Sequence, residues 1–207
     1  MDKFIAGYRQ FRETYFRANK AFIEDLMSQG QAPKVLMIAC SDSRIDPSLK
    51  FDVAPGEMFI VRNVANLVPP FDPDGHAHGT SAALEFAVRG LQIENVIVMG
   101  HARCGGITAL MNQPLLEPNG AGDFVAAWMQ IAQPAREKAL KTTSTPAAAQ
   151  RCCEHEAVKI SLDNLLTFPW VKSAIDEGKL QTHGWYFDLE TATLSILDKA
   201  TGAFHPA

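Results

Sequence analysis

Two apolar runs, Val35-Leu36-Met37-Ile38-Ala39 and Val96-Ile97-Val98-Met99, each end on a short cluster of polar and metal-ligating residues. Runs this short, rich in aliphatic residues and followed at once by turn formers, read as buried strands. Helical patterns alternate with them, so the chain is expected to form an α/β layer fold with a mainly parallel sheet flanked by helices. The first run leads into Cys40-Ser41-Asp42-Ser43-Arg44 and the second into Gly100-His101-Ala102-Arg103-Cys104. Ligands of such sheets collect beyond the carboxyl ends of the strands. Adjacent parallel strands would therefore bring Cys40 and His101 together although they are distant in sequence.

The remaining punctuation places the other elements. Strands are expected at residues 34–39, 57–61 (after Pro55-Gly56), 95–99, 180–187 and 193–197, the last two around a turn. Residues 68–79 read as a loop, Thr80 as the cap of a helix over 81–90, and Gly105-Gly106 as the start of a helix through Met111. A Pro/Gly loop is expected at 113–122, followed by helices over about 123–141 and 146–168. At the N-terminus, Phe4, Tyr8, Phe11, Tyr15, Phe22 and Leu26 recur at mostly helical steps with charged residues between them. That aromatic stripe docks either on its own domain or on another subunit. The 207 residues fit one domain, with a helical arm at 1–30 and an α/β core at 31–207.

Composition narrows the function. Hydrophobic residues make up 47 % of the chain, the net charge is -4 and the isoelectric point about 5.8. Without a basic surplus, an electrostatic nucleic-acid binder is not expected. No apolar run approaches the roughly 20 residues of a membrane span, and no secretory pattern opens the chain. Of the four cysteines, the neighbours Cys152 and Cys153 make a strained disulfide pair. Reduced thiols and a cytoplasmic location are the expectation.

Two thiols and one imidazole make three ligands for a soft or borderline metal. Three is the count of a catalytic zinc site, which keeps a fourth position for water, whereas structural sites are usually closed by four. Cys104 precedes a helix, whose N-terminus favours its thiolate. Asp42 and Arg44, at i and i+2, point to the side of Cys40 in an extended segment. A carboxylate held by a guanidinium stays ionised and accepts hydrogen bonds well. It can orient a zinc-bound hydroxide or ligate the zinc itself. The alternatives are a structural ion pair, and two unrelated buried cysteines with a capping histidine. Cys104 lacks a Cys-x-x-Cys partner, which weakens a redox role, and Gly105-Gly106 lacks the later glycine of a dinucleotide fingerprint. His76 and His78 read as solvent-exposed loop residues. Cys153-Glu154-His155-Glu156 reads as part of one packed helix, because Lys159 replaces the second histidine of a His-Glu-x-x-His motif. His183-Gly184-Trp185 marks a strand.

Cys40-Ser-Asp42-Ser-Arg44 together with Gly100-His101-x-x-Cys104-Gly-Gly resembles the β-class carbonic anhydrases. The similarity continues through Pro55-Gly56-Glu57-Met58-Phe59, Arg62-Asn63-Val64-Ala65-Asn66 and Asn164-Leu165-Leu166-Thr167-Phe168-Pro169, and spans roughly residues 31–185. The resemblance implies reversible hydration of carbon dioxide to bicarbonate and a proton, by hydroxide on one zinc per subunit. It makes Cys40, His101 and Cys104 the zinc ligands and Asp42 with Arg44 the catalytic dyad, Asp42 moving onto zinc as fourth ligand in an inactive state. It implies an apolar substrate pocket at a subunit interface, with Gln31 as its glutamine and Phe59 as an aromatic. Phe86 stands where plant-like members often carry tyrosine, and Gly105 could donate its backbone N–H to bicarbonate. A homodimer, or a homotetramer built from it, follows from the same resemblance.

Some members carry a regulatory bicarbonate site built on a tryptophan, an arginine and a tyrosine. Here Met37 takes the tryptophan position while Arg62 matches the arginine, so no such site is expected. Two rival functions are a zinc-stabilised scaffold without turnover, and a family relative acting on another linear substrate such as carbon disulfide.

Overall fold

The computed structural model describes residues 1–112 and 124–207. The chain forms two compact units, Met1–Ala32 and Pro33–Ala207. In the first, α1 (Asp2–Phe11) passes through a π-helical turn at Arg12–Phe16, and α2 (Lys20–Gln29) follows. No residue of α1 or α2 is buried, and the Phe11 and Tyr15 rings stack 5.5 Å apart. The helix ends at Gly30, whose φ of 77° lies in the left-handed region that glycine tolerates.

The second unit is built on a six-stranded sheet of order β2-β1-β3-β4-β5-β6. Its strands are β1 (Val35–Cys40), β2 (Met58–Asn63), β3 (Asn95–His101), β4 (Gln181–Phe187), β5 (Leu194–Leu197) and β6 (Phe204–Pro206). The first four in spatial order run parallel, and β5 and β6 add an antiparallel edge. Leu36 and Ile38 of β1 pack in one core while Met37 and Ala39 pack in another. The strand is buried on both faces, which is why its sequence is continuously apolar rather than alternating.

One face is covered by α8 (Pro146–Leu165), a 20-residue helix. It starts where Thr145 accepts the Ala148 N–H and Pro146 occupies the first turn. It lies so close to β3 that a side chain at Gly100 would meet Val158 Cγ2 at 2.7 Å. Around it stand α4 (Gly79–Glu85), α5 (Gly105–Met111), α6 (Phe124–Met129), α7 (Gln133–Thr142) and α9 (Pro169–Asp176). Among the described residues no helix is long and apolar enough to cross a membrane.

Several element readings need correction. The second strand starts and ends later than expected, at Met58–Asn63. Thr80 caps nothing: α4 opens at Gly79 behind His78, and the Thr80 hydroxyl instead accepts from Asn63 Nδ2. The helix expected over 81–90 turns π-helical at Phe86–Gly90. The one expected over 123–141 is broken by a 3-10 turn at Gln130–Ala132. The helix expected to reach 168 stops at Leu165, and Pro169 then begins α9 by supplying its first-turn proline. Two short elements carried no readable signal: α3 (Pro47–Phe51), capped by Asp46, and β6. The loop expected at 113–122 lies outside the described residues.

Candidate metal centre

The ligand-bearing segments leave the sheet at one end because Ala39 pairs with Met99 across β1 and β3. Cys40 closes β1, His101 closes β3, and Cys104 caps α5 three residues later. Arg103, at φ 55°, makes the tight turn that returns Cys104 toward His101. The ligand atoms of Cys40, His101 and Cys104 all lie within 4.8 Å of one another, and all three residues are buried. They are the one such cluster of histidine, cysteine or acidic residues among the described residues.

The donor set fits zinc. Cys40 Sγ and Cys104 Sγ are 3.9 Å apart, and two sulfurs bonded at about 2.3 Å to a tetrahedral zinc stand roughly 3.8 Å apart. His101 Nδ1 is 2.9 Å from the Ala102 carbonyl, which fixes the proton there and leaves a lone pair on Nε2. That Nε2 is buried with no hydrogen-bond partner among the described residues, a costly state for a polar atom unless a ligand completes it. Hydrogen bonding from Cys104 draws the Cys40 pKa far down, against its burial, and the same contact together with burial pushes Cys104 up. Both become thiolates only when a divalent charge offsets their repulsion.

Beside the cluster, Asp42 is gripped by Arg44. Nε donates to Oδ1 at 2.9 Å, Nη2 to Oδ2 at 2.6 Å, and the Arg44 backbone N–H to Oδ1 at 2.9 Å. The Arg44 hydrogen bonds hold the Asp42 carboxyl well below the usual carboxylate range. Both carboxylate oxygens are engaged by the guanidinium, and Asp42 is not a member of the ligand cluster. Among the described residues no further histidine, cysteine or acidic side chain joins the three-residue cluster.

Arg62 shapes the loop that carries this pair. From β2 it donates to the backbone carbonyls of Cys40 (3.0 Å), Asp42 (2.7 Å) and Ile45 (2.5 Å), and to Asp46 Oδ2 (3.3 Å). Behind Cys104 stands Glu154 of α8, which accepts the Cys104 backbone N–H at 3.1 Å. Sequence reasoning missed the roles of both. The available signal for Arg62 was its place near the carboxyl end of the strand beside β1. Glu154 gave none, since nothing in α8's sequence marks which carboxylate turns inward.

A carbonic anhydrase family model matches residues 35–194. Beta carbonic anhydrase 3 of Arabidopsis thaliana is 36 % identical over 212 residues, covering 99 % of this chain and 80 % of that protein. The chain belongs to the β-class carbonic anhydrase family. Among solved structures, the β-carbonic anhydrase CcaA superposes with a TM-score of 0.92 at 31 % identity, covering all of this chain and 92 % of that one. One of two tetrameric β-carbonic anhydrases from Sordaria macrospora gives 0.80 at 26 % identity, with 99 % and 98 % covered. The reaction is thus the zinc-dependent reversible hydration of carbon dioxide, a lyase activity, and the Cys-His-Cys cluster is the group that can hold the ion.

Other residues expected at a β-carbonic anhydrase site are dispersed. Phe59 and Phe86 meet each other, ring centroids 5.9 Å apart. Phe59 pairs with Leu36, near the opposite end of β1 from Cys40. Phe86 is 52 % exposed. Gly105 is the first residue of α5 with open space where a side chain would stand. Gln31 is exposed in the N-terminal unit. His78 pairs with Asp74 at the surface, and all four cysteines are free thiols.

Proposed function

We propose that Cys40, His101 and Cys104 are the zinc ligands of this carbonic anhydrase and that Asp42 and Arg44 form its catalytic dyad. The observation that carries this is the pairing of an orphaned, buried imidazole nitrogen with two sulfurs at zinc-bridging separation. Zinc bound there supplies the Lewis acidity that makes water a nucleophile near neutral pH. Asp42, kept ionised by Arg44, would accept a hydrogen bond from water activated there and so orient it toward the substrate carbon. It is not free to act as a ligand while both of its oxygens are held. Gly105 opens α5 with open space where a side chain would stand, which supports its N–H as a donor to an oxygen of bicarbonate.

Phe59 and Phe86 lie away from this chain's own cluster, which supports a pocket completed by a second copy. The exposed aromatic stripe of α1 and α2 supports the same arrangement, with the arm docked on a partner subunit and Gln31 carried to the interface. The tetrameric relatives from Sordaria macrospora favour a homo-oligomer of dimers. We read no regulatory bicarbonate site. Met37 is fully buried in a core with Trp185 and Phe187, and Arg62 is engaged by three carbonyls and Asp46. The four free thiols fit a reducing cytoplasm.

Zinc analysis and stopped-flow carbon dioxide hydration on one sample test the assignment. One zinc per subunit is expected, lost together with activity in Cys40→Ala, His101→Ala and Cys104→Ala. A variant that keeps its zinc overturns that residue's role.

A further inference from the structure

The peptide unit between Arg103 and Cys104 is held at both ends. Its carbonyl accepts from Arg44 Nη2 at 3.1 Å, and its N–H donates to Glu154 Oε1 at 3.1 Å. Glu154 is itself fixed. Gln150 Nε2 donates to the same Oε1 at 2.7 Å, and the Tyr186 hydroxyl donates to Oε2 at 2.7 Å. Burial, and the charge of Glu154 beside it, keep the proton on Tyr186, so the phenol stays a donor. Tyr186 is the β4 residue in register with Gly100, next to His101, and Gly100 is the position where α8 presses on β3.

Packing does not explain a carboxylate here. Glu154 is 3 % exposed, and an apolar residue would fill the same space without the desolvation cost of a buried acid. What the carboxylate does that an apolar residue cannot is take the Cys104 N–H. The peptide plane is thereby set, and with it the direction in which the Cys104 sulfur leaves the backbone. The Gly106 and Ile107 N–H groups then face that sulfur from the first turn of α5.

We infer that Glu154 is a positioning residue for the metal site, acting through the Cys104 peptide, with Tyr186 and Gln150 as its supports. This rests on Cys104 being a zinc ligand. Arg44 holds the other end of the same peptide, so the dyad and the third ligand share one mechanical element. Outer hydrogen-bond partners of metal ligands typically change metal affinity or activity by about 10–100-fold when removed.

The test uses the full-length zinc enzyme and compares Glu154→Leu, Glu154→Gln, Tyr186→Phe and Cys104→Ser. The readouts are the rate of zinc transfer to a chromophoric chelator and the thiolate-to-metal absorption band of the cobalt-substituted protein. Zinc release is expected to quicken by about 10–100-fold in Glu154→Leu. Glu154→Gln, which keeps one acceptor oxygen, and Tyr186→Phe are expected to give smaller increases, all three with a shifted cobalt band. Unchanged release and an unchanged band in these variants overturn the inference, even if their melting temperatures fall. Should Glu154→Leu not fold, Glu154→Gln and Tyr186→Phe decide by the same criteria. Cys104→Ser tests the underlying assignment separately: if it retains zinc and the wild-type band, the ligand reading fails, whereas its loss of zinc beside wild-type-like Glu154 variants sinks the positioning role alone.

Discussion

Arg44 reaches the backbone carbonyl of Arg103 with the same Nη2 atom that holds Asp42 Oδ2. One guanidinium thus joins the loop after β1 to the loop after β3. Its planar fork permits this, and an ammonium cannot reproduce it. Arg44→Ala is expected to keep zinc but lower kcat/KM by about 10–100-fold, and Arg44→Lys to recover little of it. Stopped-flow hydration with zinc assayed on the same samples checks this, and full turnover in Arg44→Ala would remove the dyad from the mechanism.

Arg62 donates to three carbonyls of the loop that carries Asp42. Removing a charged donor strands these acceptors in a partly buried setting, where each such bond contributes about 1.5–3 kcal/mol. Arg62→Ala is expected to lose on the order of 3 kcal/mol in urea denaturation and to lower turnover by loosening the loop. A variant as stable as wild type would show that the loop holds itself.

His155 sets an acid limit on stability. Burial, helped by the nearby charges of Arg151 and Lys159 and opposed by Glu156, lowers its pKa to about 4. Its ring packs between Tyr186 and Phe204, at centroid distances of 4.3 and 4.4 Å. Below about pH 6.5 the unfolded chain takes up a proton that the native histidine refuses. The contribution is therefore complete above that pH and is lost as the pH falls from about 6.5 toward about 4. Nε2 is buried without a partner among the described residues, so His155→Phe breaks no hydrogen bond to them there. Melting temperatures at pH 7 and pH 5 should fall less for His155→Phe than for wild type, and equal falls would count against the assignment.

Gly100 has no room for a methyl group. Its nearest obstacles would be Val158 at 2.7 Å and, farther off, the Glu154 carbonyl and the Tyr186 ring, both at 3.7 Å. Gly100→Ala pushes α8 off β3 and is expected to cost about 1–3 kcal/mol. Because the shift falls beside His101 and Glu154, zinc content after dialysis should drop as well. Retained stability and zinc would show that α8 moves freely.

The cluster was legible because its residues stand directly after apolar runs, where parallel sheets present their ligands. Parallel order and both ligand-bearing strand ends follow from that pattern. Glu154 was not legible. In Cys153-Glu154-His155-Glu156 the chemistry-bearing side chains look alike, and only the seating of α8 on Gly100 decides that Glu154 turns inward while Glu156 pairs with Lys138 and Lys159. The helix expected over 146–168 stops at Leu165 and Pro169 starts α9, since proline serves a helix well at its first turn. Phe204–Pro206 becomes a strand only through pairing with β5, a partner that local sequence cannot supply.

The 3.9 Å between the two sulfurs also governs how the enzyme is matured. Thiols bind metal in their deprotonated form, so an ion captured between two of them releases acid into the surroundings. Cofactor insertion is therefore self-limiting in sour medium and most complete under alkaline conditions. The acidity of the medium thus affects how much working catalyst a given amount of polypeptide becomes, before that catalyst has released any proton of its own.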